Sequence, residues 1–137
     1  MQRLSGKVAI VTGGARGMGE ATVRLMVSEG AKVLIGDLLD EPGEALASEL
    51  GEAASFLHMD VTQKQDWQNA VAGAQALGPL QVLVNNAAIV MQKTIMETSE
   101  EDFMNIVRIN QLSVFLGMQS VFESLRDNGG GSIINVS

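Results

Sequence analysis

A doubly wound α/β domain, a parallel sheet with helices on both faces, is the fold class this sequence predicts. Three observations carry the prediction. Short runs rich in Val and Ile alternate with amphipathic helical stretches. Most of the runs lack polar alternation, as strands covered on both faces do. The connections are short and polar, so strand–helix–strand repeats in the manner of a parallel sheet.

The elements follow in order. Val8–Val11 is the first strand. Val23, Met26, Val27 and Gly30 then form an i, i+3, i+4, i+7 stripe, with Gly30 placed to end the helix. Lys32–Ile35 is the second strand, and Pro42, after Asp40 and Glu41, suits the first turn of the next helix. Ser55–Met59 is the third strand. Thr62 and Gln65 are spaced as a capping box before Trp67, Ala70, Val71 and Ala74, which share one helical face. Leu80–Val84 is the fourth strand. Ser99, followed by Glu100, Glu101 and Asp102, sets negative charge at a helix start, where the dipole favours it. From there Phe103, Ile106, Val107, Asn110, Val114, Met118 and Val121 read as one stripe over a continuous helix. Ser132–Val136 is the fifth strand.

Composition narrows the function. The 137 residues make one domain or a piece of one, and 46% hydrophobic content supports a real core. A net charge of −7 disfavours nucleic acid, whose phosphates would go unneutralised. No run of 18 apolar residues is present and "MQRLSGK" passes directly into a strand, so neither a membrane span nor a signal peptide is expected. The absence of cysteine rules out disulfides and fits a cytoplasmic location. His58 is the single histidine, so no multi-histidine metal site is available; beside Asp60, it is expected to be an ordinary strand-end residue.

The chemistry gathers at Thr12, Gly13, Gly17 and Gly19, a T-G-x-x-x-G-x-G run between the first strand and the first helix. Such a loop turns sharply, lets backbone N–H groups approach an anion, and opens a helix whose positive end faces it. The Gly-Lys-Ser/Thr of a P-loop is missing, which disfavours ATP or GTP hydrolysis. Arg16 and Met18 lie inside the loop, and Asp37 ends the second strand 18 residues after Gly19. An acid at that offset accepts from the adenosine ribose hydroxyls and repels a 2′-phosphate, so NAD is expected over NADP. Arg16 acts in the opposite sense, since a guanidinium attracts a 2′-phosphate. Asn110, an amide on an apolar stripe, is either a satisfied core amide or part of a site.

"TGGARGMG", "DV" at 60–61, "NNAA" at 85–88, "RINQLSVF" at 108–115 and "GGSIINVS" at 130–137 resemble, in order and spacing, the short-chain dehydrogenases/reductases. Within that family the chain is most similar to the bacterial hydroxysteroid dehydrogenases. The resemblance implies a Rossmann-type sheet and hydride transfer between NAD and a secondary alcohol or ketone, possible hydroxysteroids included. It implies that Asp60 accepts from the adenine amine, that Val61 packs on the ring, and that Asn85 and Asn86 tie strands and cofactor ribose together. Ala88 stands where the family usually has Gly, near the nicotinamide. Asn110 would bend its helix and hold a water in a proton relay, and the helix bearing it would help form a homotetramer. Met91 and Met96 could wall an apolar substrate pocket but read more simply as core filler.

The resemblance also implies a catalytic serine, tyrosine and lysine. The chain contains no tyrosine, and by the family spacing Ser137 is the residue before the catalytic serine. The expectation is a single dinucleotide-binding domain over 1–137 whose C-terminal part is absent, cut after the fifth strand, and inactive alone. The alternative is a nucleotide-binding module that performs no catalysis.

Overall fold

The structure, a computed structural model, describes residues 2–137. Along the chain, β1 (Val8–Thr12), α1 (Gly17–Ser28), β2 (Lys32–Asp37), α2 (Asp40–Leu50) and β3 (Ala54–His58) are followed by α3 (Lys64–Gln75) and β4 (Leu80–Asn85). Then come α4 (Glu100–Val107), a π-helical segment (Arg108–Leu112), α5 (Ser113–Asp127) and β5 (Ser132–Asn135). All four strand pairings are parallel, in the order β3-β2-β1-β4-β5. The chain runs outward from β1 to β3, then crosses to β4, so the strand order reverses between β1 and β4. Crevices at such a reversal are where open α/β sheets bind ligands.

Alternate residues of β1 and β2 feed two separate cores, and β4, with a register irregularity against β1, contributes to both. Val8, Ile10, Leu34, Leu80 and Leu83 meet Trp67, Ala70 and Ala74 of α3 and Val121 and Leu125 of α5. Ala9, Val11, Val33, Ile35, Val82 and Val84 meet Val23 and Met26 of α1 and Leu46 of α2. Both faces of β1 are therefore buried, which is why its sequence shows no polar alternation. The doubly wound α/β class is the one observed.

Two local expectations are corrected. Thr62 does not cap α3: the helix starts at Lys64, and Thr62 donates both its N–H (2.9 Å) and its hydroxyl (2.7 Å) to Asp60 Oδ1. The nearer carboxylate wins the hydroxyl, closing a turn inside 60–62 instead of a helix cap. The helix after Ser99 is also not one regular stripe. It starts after Ser99 as expected, with a capping box between Ser99 and Asp102 that the sequence reading did not include, but a π turn interrupts it at Arg108–Leu112. The extra residue rotates the inward face, so α5 buries Ser113, Gly117, Val121 and Leu125, while Phe103 is 60% exposed. α4 makes its main contacts with the π segment and not with the sheet, so Phe103 lies outside both cores. The small residues of α5 match a close crossing: a Cβ on Gly117 would lie 2.6 Å from the Trp67 ring and 2.7 Å from Asn85 Oδ1.

Elsewhere the strands start where expected except β3, which lies one position earlier; β1 and β4 run one residue longer, β2 two, and β5 stops one short. Gly30, at φ +92°, follows α1 and donates its N–H to the Val27 carbonyl, as a helix-ending glycine does. Met96 is not core filler: it is 90% exposed on the long β4–α4 loop, beyond the reach of either core, while Met91 is half-buried.

Candidate functional site

At the carboxyl ends of β1 and β4 a cavity of about 480 Å³ opens, a size typical of small-molecule sites. The glycine loop forms its floor. Gly13, at φ +63°, turns the chain out of β1, and its N–H donates to the Gly36 carbonyl of the neighbouring strand (2.8 Å). A Cβ on Gly19 would fall inside contact distance of the Gly13 carbonyl and 2.7 Å from Asn86 Nδ2, so only glycine lets α1 start so close to the sheet. The first helical bond of α1 runs from the Glu20 N–H to the Arg16 carbonyl. The N–H groups of Gly17, Met18 and Gly19 precede it and line the cavity. A helix N-terminus with unpaired N–H groups attracts anions.

Thr12 locks this floor to the wall opposite. Its hydroxyl accepts from the N–H groups of Asn86 (3.1 Å) and Ala87 (3.0 Å) and donates to the Val84 carbonyl (3.4 Å), all within a buried site. Asn86 returns the link by donating its side-chain amide to the carbonyls of Thr12 (3.1 Å) and Gly13 (3.2 Å). Asn85 points the other way, its amide donating to Asn135 Oδ1 of β5 (3.0 Å). The adjacent asparagines thus serve different neighbours: one holds the loop, the other the next strand.

Asp37 stands at the rim. Its two oxygens accept from the Ala15 N–H (3.0 Å) and the Leu39 N–H (3.1 Å), which fixes the carboxylate between the glycine loop and the start of α2. Arg16 lines the same rim with its side chain exposed. Asp60 and Val61 form the far wall, and Asn86 and Ala88 the near one, so the sequence-expected binding residues from Gly13 to Ala88 line this single cavity, apart from Asn85, which is turned to β5.

Asn110 lies in the π segment, half-buried, and does not itself line the cavity. Its Oδ1 accepts from the Ile89 N–H (2.9 Å) and its Nδ2 donates to the Ile89 carbonyl (2.9 Å). This reciprocal pair pins Ile89, which does line the cavity together with Ile109. The amide is thereby satisfied, and it couples the bent helix to the site wall. Sequence reasoning missed Leu38, Leu39, Met59, Ala87, Ile89 and Ile109 as lining residues. All but Leu39 adjoin a residue singled out for the site, and adjacency was the available signal.

His58 lies outside the cavity. It is exposed at the end of β3, with Nδ1 2.6 Å from Asp40 Oδ1, and the hydrogen bond to that carboxylate raises its pKa above the usual histidine value. On the β4–α4 loop, Lys93 donates to Asp102 (2.7 Å); that bond, with the Ser99 N–H, holds the Asp102 carboxyl below the usual range. Among the described residues no cluster of three or more His, Cys, Asp or Glu side chains could hold a metal, and no helix is long and apolar enough to cross a membrane.

The family model for the short chain dehydrogenases matches residues 7–137. The chain belongs to the short-chain dehydrogenase family. Among curated short-chain dehydrogenase relatives, the 3-alpha-(or 20-beta)-hydroxysteroid dehydrogenase of Mycobacterium tuberculosis is 52% identical over 136 residues, 98% of this chain and 52% of that protein. The 3-beta-hydroxysteroid dehydrogenase of Comamonas testosteroni is 47% identical over 137 residues, 98% of this chain and 53% of its own length. The cyclopentanol dehydrogenase of a Comamonas species is 43% identical over 141 residues, covering all of this chain and 56% of the relative. The chain therefore spans about half the length of the curated relatives it matches. Members of the short-chain dehydrogenase family use nicotinamide dinucleotides, and the cavity suits such a ligand: it offers unpaired N–H groups for a pyrophosphate, a floor only glycine allows, and a fixed carboxylate at the rim.

Proposed function

We propose that this chain binds NAD in preference to NADP. We further propose that it forms the cofactor-holding part of an oxidoreductase that moves hydride between NAD and a secondary alcohol or ketone, with hydroxysteroids as the leading substrate class. The observation that carries the cofactor reading is the convergence on one cavity of the α1 N-terminus and the Asp37 carboxylate. The substrate class is supported by the names of the two hydroxysteroid dehydrogenases above.

When bound, NAD supplies the hydride acceptor. The N–H groups of Gly17, Met18 and Gly19 would hold the pyrophosphate, and Asp37 would accept from the adenosine ribose hydroxyls, repelling a 2′-phosphate through its charge. Asp60 and Val61 would take the adenine, and Asn86 and Ala88 the nicotinamide side. Asn110, on the bent helix, would orient a water for proton transfer while its amide keeps Ile89 in place. With no tyrosine among its 137 residues, the chain alone is read as a binder without turnover. A homotetramer, as in the family resemblance, is supported by the exposed apolar side chains Leu112, Phe115 and Phe122 on one flank of the π segment and α5. A cytoplasmic location goes with this reading.

Asp37→Ala tests the ribose assignment. Loss of charge-assisted hydrogen bonds costs about 1.5–3 kcal/mol, so NADH affinity should fall by about tenfold or more. NADPH affinity should change little or improve. Fluorescence titration with both nucleotides reads the ratio; an unchanged preference for NADH would remove Asp37 from the site.

A further inference from the structure

The turn after β3 is gripped by two side chains from the first turn of α3, neither of which lines the cavity. Asp66 Oδ2 accepts from the Asp60 N–H (2.8 Å), and the Trp67 indole N–H donates to the Val61 carbonyl (2.9 Å). Consecutive residues of one helix thus fix consecutive residues of the turn, one from each polar side of the backbone. Trp67 has no freedom to adjust: it is fully buried, with its ring edge against Gly117 of α5. Within the turn, Asp60 Oδ1 is already occupied by the N–H and hydroxyl of Thr62.

What remains is a matched pair. Among the described residues Asp60 Oδ2 accepts from no donor and the Val61 N–H donates to no acceptor. Both residues line the cavity. A neighbouring acceptor and donor complement the N6 amino group and N1 of adenine. They oppose a 6-oxopurine at both positions, because O6 would meet the carboxylate and N1–H would meet the backbone N–H. We infer that Asp66 and Trp67 are positioning residues that set selection of adenine over 6-oxopurine dinucleotides. They act through the orientation of Asp60 and Val61 and touch no ligand themselves. The inference rests on the dinucleotide reading of the cavity.

Equilibrium titration of the 137-residue chain with NADH and with reduced nicotinamide hypoxanthine dinucleotide tests this, in the wild type and in Asp66→Ala, Asp66→Asn and Trp67→Phe. A base discriminated by paired hydrogen bonds should favour NADH by about tenfold or more in the wild type. Asp66→Ala and Trp67→Phe should each shrink that ratio at least about threefold. Asp66→Asn, which keeps a carbonyl acceptor for the Asp60 N–H, should restore most of it. A merely structural role would lower both affinities together and leave the ratio fixed, and that result would overturn the inference. Should Trp67→Phe fail to fold, the half-buried Asp66 pair decides alone. Equal binding of both nucleotides by the wild type would overturn the inference while leaving the dinucleotide reading intact. Binding of neither would overturn both.

Discussion

Gly19→Ala is expected to lower NADH affinity by about 100-fold, close to 3 kcal/mol. The added methyl has no free volume, because the Gly13 carbonyl and the Asn86 amide already occupy its position. α1 must then back away from β1, carrying the Gly17, Met18 and Gly19 N–H groups with it. Gly129→Ala is the control. Gly129 sits at φ +84° with nothing within 4 Å of a Cβ, so it should lose about 1 kcal/mol of stability to backbone strain and keep NADH binding. Isothermal titration of both variants separates close approach from the general cost of replacing a glycine. Equal NADH affinity in the two would mean that the loop does not hold the nucleotide.

Thr12→Val carries the second large effect, on the frame that shapes the cavity. Valine fills the space of threonine but removes a hydroxyl that satisfies two buried N–H groups and one carbonyl. Each unsatisfied buried group costs about 1–3 kcal/mol before relaxation, so a net loss of about 3 kcal/mol is expected, lowering Tm by about 10 °C. Thr12→Ser keeps the hydroxyl and should recover most of the loss. Thermal unfolding followed by circular dichroism measures both, and a valine variant as stable as wild type would show that Thr12 does not tie β1 to β4.

Much of this was legible in the sequence because it is local. The glycine spacing, the acid ending β2 and the unalternating strands each record a constraint imposed within about 20 residues, and the cavity draws on all three. The helix start at Ser99 was readable for the same reason, since the acids that mark it lie in one helical turn, although the reciprocal Ser99–Asp102 bonding emerges only in the structure. What escaped depends on partners distant in the chain or on an irregularity. A hydroxyl at Thr62 looks the same whether it caps a helix or closes a turn on Asp60. The π turn at Arg108–Leu112 shifts the inward face by one residue, so a stripe extrapolated from Phe103 to Val121 runs true at its far end and fails at its near one. Thr12 shows the middle case. Its place in the glycine motif was evident, while its role as a three-way hub joins residues 12 and 84–87, and no local pattern reports that.

The central claim is that this chain binds NAD through the glycine loop and Asp37. Parallel isothermal titrations of the unmodified 137-residue chain with NADH and NADPH test it most directly. The account predicts saturable binding of one NADH per chain, with NADPH weaker by about tenfold, the consequence of a carboxylate facing a 2′-phosphate. Binding of neither nucleotide, or tighter binding of NADPH, would contradict it.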